Sequence, residues 1–135
     1  MVRLVLAFCP GLRIASAVGV ILFVSATSAL PSGIEVIDGD SFVTADGETI
    51  RVENIDTPSI HSPNCAAEKE LAAKAVARLT ELLNACPPEF DRRFTDKDGR
   101  TNARVYVCGE DLGAKLENEG LAGVRGISIN WCKAE

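Results

Sequence analysis

Ile34-Glu35-Val36-Ile37-Asp38-Gly39-Asp40-Ser41-Phe42-Val43-Thr44-Ala45-Asp46-Gly47-Glu48-Thr49-Ile50-Arg51-Val52-Glu53-Asn54-Ile55-Asp56-Thr57-Pro58 decides the fold class. Runs of β-forming residues are cut twice by an Asp-Gly dipeptide, a strong short-range signal of strand reversal. Ile34 to Ile37 and Ser41 to Thr44 read as strands joined through Asp38-Gly39-Asp40, and Asp46-Gly47 leads into a third strand, Glu48 to Ile55. In that strand Ile50 and Val52 share one face, and Arg51 and Glu53 the other. Asp56-Thr57-Pro58 ends it, because proline has no N–H to give to a ladder. A three-stranded meander is expected.

Downstream the period changes. Ser62-Pro63 reads as a helix start, with Ser62 or Asn64 as cap. Ala67, Leu71, Ala75, Leu79 and Leu83 recur every four residues and predict a helix from about Cys65 to Asn84. Pro87-Pro88 stops it. Glu89 to Thr95 and Ala103 to Cys108 read as a hairpin around Asp96-Lys97-Asp98-Gly99, with Ala103, Val105 and Val107 alternating inward. A last short helix runs from near Asp111 to Gly120. The expected fold is mainly β with α: a five-stranded OB-fold-like barrel, a long helix between strands 3 and 4, and a short C-terminal helix.

Upstream, Arg3 and Arg13 precede an uncharged apolar run, Ile14 to Val24, and the small residues Ser25 to Ala29. That order predicts a secretory signal peptide over residues 1–29, followed by one domain over 30–135. An uncleaved membrane anchor over residues 14–30 is the alternative, although the apolar run is short against the ~20 residues a bilayer span needs. The expected location is secreted or periplasmic, and membrane contact is expected only if the segment stays attached. Arg3 and Arg13 leave with the leader, so 19 acidic residues then face 12 basic ones, a net charge of −7. Gripping nucleic acid by bulk positive charge is excluded by that balance.

Four of the five cysteines remain, Cys65, Cys86, Cys108 and Cys132, and an even count in a small exported chain reads as two disulfides with three possible connectivities. Cys86 and Cys108 lie at nearly equal distances from the Asp96–Gly99 turn, so the hairpin favours pairing them. Cys65 is then left for Cys132. One histidine, His61, and the lack of any Cys-x-x-Cys pair argue against zinc.

Asp38-Gly39-Asp40-Ser41-Phe42, Ile50-Arg51-Val52, Asn54-Ile55-Asp56-Thr57-Pro58, Asp96-Lys97-Asp98-Gly99-Arg100, Gly109-Glu110-Asp111-Leu112-Gly113 and Glu119-Gly120-Leu121-Ala122 follow one another as they do in thermonucleases. Each motif alone is weak. In this order the chain resembles the thermonuclease (staphylococcal-nuclease-like) family from about Ile34 to Ala122. The resemblance implies cleavage of DNA and RNA with calcium. It places the metal at Asp40, Asp56 and the carbonyl of Thr57, and puts Arg51 and Arg100 on the scissile phosphate. Oxygen donors suit calcium, and guanidinium forks suit a crowded phosphoryl group.

One position departs. The family's catalytic glutamate directly follows the Asp-Thr-Pro tripeptide, and here that residue is Ser59. A positioned general base contributes ~10²–10⁴ in rate, so a slowed nuclease is expected. His61, Glu53, Glu68 and Glu70 are weaker stand-ins, the last two expected to be solvated on the helix. Taken singly, Asp38, Asp40 and Asp56 read as turn residues, and Arg92, Arg93 and Arg104 as surface charges. Tyr106 and Trp131 read as packing residues rather than base stackers. The rival functions are an inactive nucleic-acid-binding module and a ligand-free structural domain. A monomer with no stable protein partner is expected, its only macromolecular partner being nucleic acid as substrate.

Overall fold

Both Asp-Gly turns close as expected. The computed structural model describes residues 33–133, so the leader or anchor assigned to residues 1–29 lies outside the described residues. β1 (Glu35–Asp38), β2 (Ser41–Val43) and β3 (Thr49–Val52) form an antiparallel meander in which Phe42 stands opposite Val36 and Ile50. Beyond α1 (Ala66–Ala85), β5 (Glu89–Thr95) and β6 (Thr101–Val107) form the second hairpin. β6 returns to lie parallel to β3, with Val52 opposite Ala103. A parallel neighbour requires a long crossover, and α1 with its flanking loops provides it.

The sheet runs β1-β2-β3-β6-β5, and β7 (Glu110–Asp111) folds back onto β6. The architecture is mixed α+β of the OB-like kind, as expected, and among the described residues no β1–β5 pairing closes the sheet into a barrel. The third strand is shorter than expected. It stops at Val52, and Asn54 takes a left-handed φ of 67°, a conformation asparagine tolerates better than most residues. Ile55–Asp56 then forms a separate strand, β4, paired with β8 (Gly123–Val124) in a second, two-stranded ladder. That break rotates Asp56 out of the meander.

α1 differs in two details. Its N-cap is Cys65, whose Sγ accepts from the Glu68 N–H at 3.4 Å, rather than Ser62 or Asn64. Its buried stripe is Glu68, Ala72, Ala75, Leu79, Leu82 and Leu83; Ala67 is exposed and Leu71 only half-buried. A strict four-residue repeat drifts off one face because a turn holds 3.6 residues, and the real stripe mixes steps of three and four. α2 (Leu112–Asn118) starts at an Asp111 cap that accepts the Ala114 N–H at 2.9 Å.

The core lies between α1, α2 and the inner sheet face, from Phe42, Ile50, Val52, Ala103 and Val105 to Leu79, Leu83, Leu112 and Leu116. Burying a large aliphatic side chain contributes ~1.5–3 kcal/mol. The sulfur atoms of Cys86 and Cys108 are 2.01 Å apart, and those of Cys65 and Cys132 are 2.11 Å apart. Among the described residues no helix is long and apolar enough to cross a membrane.

Candidate active site

The turn between β1 and β2 does more than reverse the chain. A methyl group at Gly39 would lie 2.8 Å from Thr57 Oγ1 and 2.9 Å from Ala75 Cβ, a clash no side chain can relieve. Glycine is required there for close approach. The packing sets Asp40, the next residue, beside the Asp56–Thr57 segment that follows the break at Asn54.

Arg51 lies between the two aspartates. Its Nη2 donates to Asp56 Oδ1 at 2.7 Å and to Asp40 Oδ2 at 3.3 Å. Its Nε is buried with no partner, the one such side-chain atom among the described residues. A buried N–H left unmade costs about 1–3 kcal/mol, and an anion oxygen is the natural acceptor for a guanidinium. Asp40 is 6% exposed. Burial pushes its carboxyl pKa up, against the opposing effects of the Ser41 hydroxyl and the Arg51 guanidinium. An acid in that position gains from a nearby cation.

Asp38, Asp40, Ser41, Arg51, Asp56, Thr57, Ser59, His61 and Arg100 all line one cavity of about 360 Å³, completed by Ile37 and Thr49. The structure therefore brings together every residue that the sequence motifs single out for metal or phosphate. Arg100 arrives from the turn after β5. Its Nε donates to Asp96 Oδ2 at 2.9 Å and its Nη2 to Asp98 Oδ2 at 3.2 Å. Burial works against ionising Asp96, but the backbone N–H groups of Arg100 and Asp98 and the Arg100 guanidinium outweigh it and hold its pKa below the ordinary value. The Asp96 carboxylate thereby fixes the direction of Arg100.

The opposite wall is the loop after Thr57. Ser59 Oγ accepts the Ser62 N–H at 3.0 Å, and the Ser59 N–H donates to Glu68 Oε1 at 3.2 Å. Glu68, expected in solvent, is 4% exposed. Its other oxygen accepts the backbone and side-chain N–H groups of Asn64 at 2.7 and 2.8 Å. Those bonds, the Asn64 backbone first, lower its pKa. His61 Nε2 lies 3.1 Å from the Ile37 carbonyl. A carbonyl only accepts, so Nε2 carries the hydrogen and Nδ1 is left as the basic nitrogen of the neutral ring. Glu53 faces Arg93 and Arg104 instead of the cavity.

Arg125 escaped the sequence reading. It follows β8, where no motif or period marks it, yet it braces the site from behind. Its guanidinium donates to the Val52 carbonyl at 2.9 Å, the Asn102 side chain at 2.9 Å and the Ile55 carbonyl at 3.3 Å, and its Nε lies 3.5 Å from Asp56 Oδ1. The Gly126 N–H reaches Asp56 Oδ2 at 3.4 Å. Burial, then repulsion from Arg51, lowers the Arg125 pKa.

Two aspartates paired to one arginine with a free buried N–H, on an OB-like sheet, give a small mixed α+β domain with a charge-lined cavity. The family model for "Staphylococcal nuclease homologue" matches residues 49–133, and the chain belongs to that family. It is 39% identical over 93 residues to a thermonuclease of Staphylococcus intermedius, covering 64% of this chain and 54% of that one. It is 35% identical over 104 residues to a thermonuclease of Staphylococcus hyicus, covering 73% and 60%. The SPbeta prophage-derived endonuclease YokF of Bacillus subtilis (strain 168) is 39% identical over 94 residues, 65% of this chain and 31% of that protein. The matched segments span little more than half the length of the thermonucleases.

Proposed function

We propose that this protein is an exported, monomeric nuclease that hydrolyses phosphodiester bonds of DNA or RNA with calcium, slowed because Ser59 stands where the family resemblance expects a glutamate. The observation that carries the reading is the convergence of Asp40 and Asp56 on Arg51, whose Nε still lacks an acceptor. Asp40, Asp56 and the Thr57 carbonyl are a hard-oxygen donor set, and the raised pKa of buried Asp40 fits a neighbouring cation. Calcium held there would draw electron density from a phosphoryl oxygen.

The chain's own residues do the remaining work. Arg51 and Arg100 hold the non-bridging oxygens and offset the charge that builds as a fifth oxygen approaches phosphorus. Asp96 keeps Arg100 aimed, and Arg125 keeps Asp56 in place. Proton removal from the attacking water is where the site is weak. Ser59 is a poor base, and Glu68 and Glu53 are held by other partners. His61 Nδ1 is the uncommitted nitrogen on the same wall.

The second reading is an inactive module that binds nucleic acid without cutting it, and the loop-bound Ser59 favours it. Cleavage of single-stranded DNA and RNA by the oxidised protein, with calcium or with chelator, separates the two. Calcium-dependent cutting abolished by Arg51→Ala supports the nuclease. If neither wild type nor Ser59→Glu cuts, the binding module takes over.

A further inference from the structure

β5 interrupts its two-residue alternation once, and the interruption decides where Phe94 goes. Phe90 and Arg92 stand opposite Val105 and Ala103, both buried on the core face. Side chains two apart share a face, so an unbroken strand would send Phe94 the same way. A bulge between Arg92 and Phe94 leaves Arg93 unpaired, and Phe94 comes out opposite Asn102. Asn102 belongs to the other face, which also carries Arg51 and Arg104. The result is a phenyl ring left 55% exposed, turned from core to water. Bulges beside active sites commonly re-aim a side chain in this way.

The register also puts that ring in line with the site. Ser41, Arg51, Asn102 and Phe94 are successive partners across β2, β3, β6 and β5. Strands lie ~4.8 Å apart, so two spacings separate Phe94 from Arg51, roughly 10 Å. That is the scale on which a nucleotide carries its base away from its phosphate. Arg93 and Arg104 flank the ring but are matched by Asp91 and Glu53, so this face has little free positive charge. An acidic chain with a formal net charge of −5 needs affinity from another source, and base–aromatic stacking is one that charge balance leaves untouched.

We propose that Phe94 is a stacking platform for the nucleobase next to the phosphate held at Arg51 and Arg100. The inference rests on the nuclease reading above and adds to it a subsite for a single-stranded nucleobase. Every base offers a π-face, so the subsite is tolerant of sequence.

The test measures binding of dye-labelled tetrathymidylate, and of the same tetramer with all bases removed, to the full chain in the presence of chelator. Phe94→Ala should weaken tetrathymidylate about tenfold and leave the abasic strand unchanged. Phe94→Trp should restore affinity, with indole emission quenched as strand is added. The melting temperature of both variants should stay at the wild-type value, because the ring is mostly in water. Equal affinity of Phe94→Ala and wild type for tetrathymidylate overturns the proposal, as does an equal loss on the abasic strand. A change in sedimentation of the ligand-free Phe94→Ala protein assigns the ring to contact with a second copy and overturns it too. If wild type binds neither strand and does not cut, the nuclease reading falls with it; binding that Phe94→Ala leaves unaltered removes this inference alone.

Discussion

The two walls of the cavity are built by different means. The sheet wall carries Arg51 on β3 and Asp40 and Arg100 on the turns that join its strands, each held by charged partners. The loop wall, Thr57 to Cys65, has no ladder; it hangs on Glu68, which binds the Ser59 and Asn64 N–H groups, and on a His61 contact to Ile37. The sheet wall presents charged groups to the cavity, while on the loop wall Ser59 presents a hydroxyl that accepts the Ser62 N–H. A charged group held by several partners is harder to move than one on a loop without a ladder.

The sharpest way to test that contrast is to give the loop a carboxylate. Ser59→Glu should raise the single-turnover cleavage rate ~10²–10⁴-fold, and a gain below threefold would show that the loop no longer aims residue 59 at the phosphate. The converse change attacks the sheet wall. Arg51→Ala should lower cleavage ~10²–10³-fold in both the wild-type and Ser59→Glu backgrounds; equal rates with and without Arg51 would remove it from the phosphate.

Much of the sheet wall was legible because turns and alternation are local. Asp-Gly pairs announce reversals, and Ile50, Val52, Ala103 and Val105 alternate as buried strand residues must. The loop wall and the braces were not. Nothing in Glu53-Asn54-Ile55 marks a strand break, since asparagine in a left-handed turn looks like any strand residue in a string of letters. Glu68 reads as solvated until the loop that it binds is folded over it. Arg125 and the bulge at Arg93 depend on pairing across the whole chain. The disulfide partners were half legible: the hairpin pairs Cys86 with Cys108 by symmetry about its turn, whereas Cys65 and Cys132 were matched only as the remainder.

Those two bridges offer the next test. Cys65–Cys132 joins residues 67 apart and Cys86–Cys108 residues 22 apart. Loop entropy makes removal of the first cost about 4 kcal/mol and of the second about 3 kcal/mol. Chemical denaturation of the two double Cys→Ser variants measures this. The longer bridge also joins the start of α1 to the strap bearing Arg125, so its loss should reduce cleavage as well; loss of the hairpin bridge should spare it.

Calcium gives a smaller effect. At a hundredfold excess over its Kd, calcium should stabilise the wild type by about 2.7 kcal/mol, and Asp56→Asn should abolish the shift in melting temperature. An unchanged shift would move the metal elsewhere. The gentlest test concerns Glu68. Its folded pKa lies below the unfolded value, so its ionised bonds stabilise the fold above the ordinary glutamate range and the contribution is lost as pH falls through the depressed value. Glu68→Gln should flatten the decline of melting temperature across that acid window; an identical slope would mean that the loop does not depend on the charge.

Asp56 is held by groups that the ribosome adds much later. The Gly126 N–H that reaches its carboxylate lies 70 residues further along, and the Arg125 guanidinium beside the same carboxylate comes one residue before it. An emerging chain that carries only the meander has Asp40 and Arg51 but not the two groups that brace Asp56. Bracing of Asp56 therefore waits until the segment bearing Arg125 and Gly126 has been added, and the order in which the parts appear sets when that carboxylate is fixed.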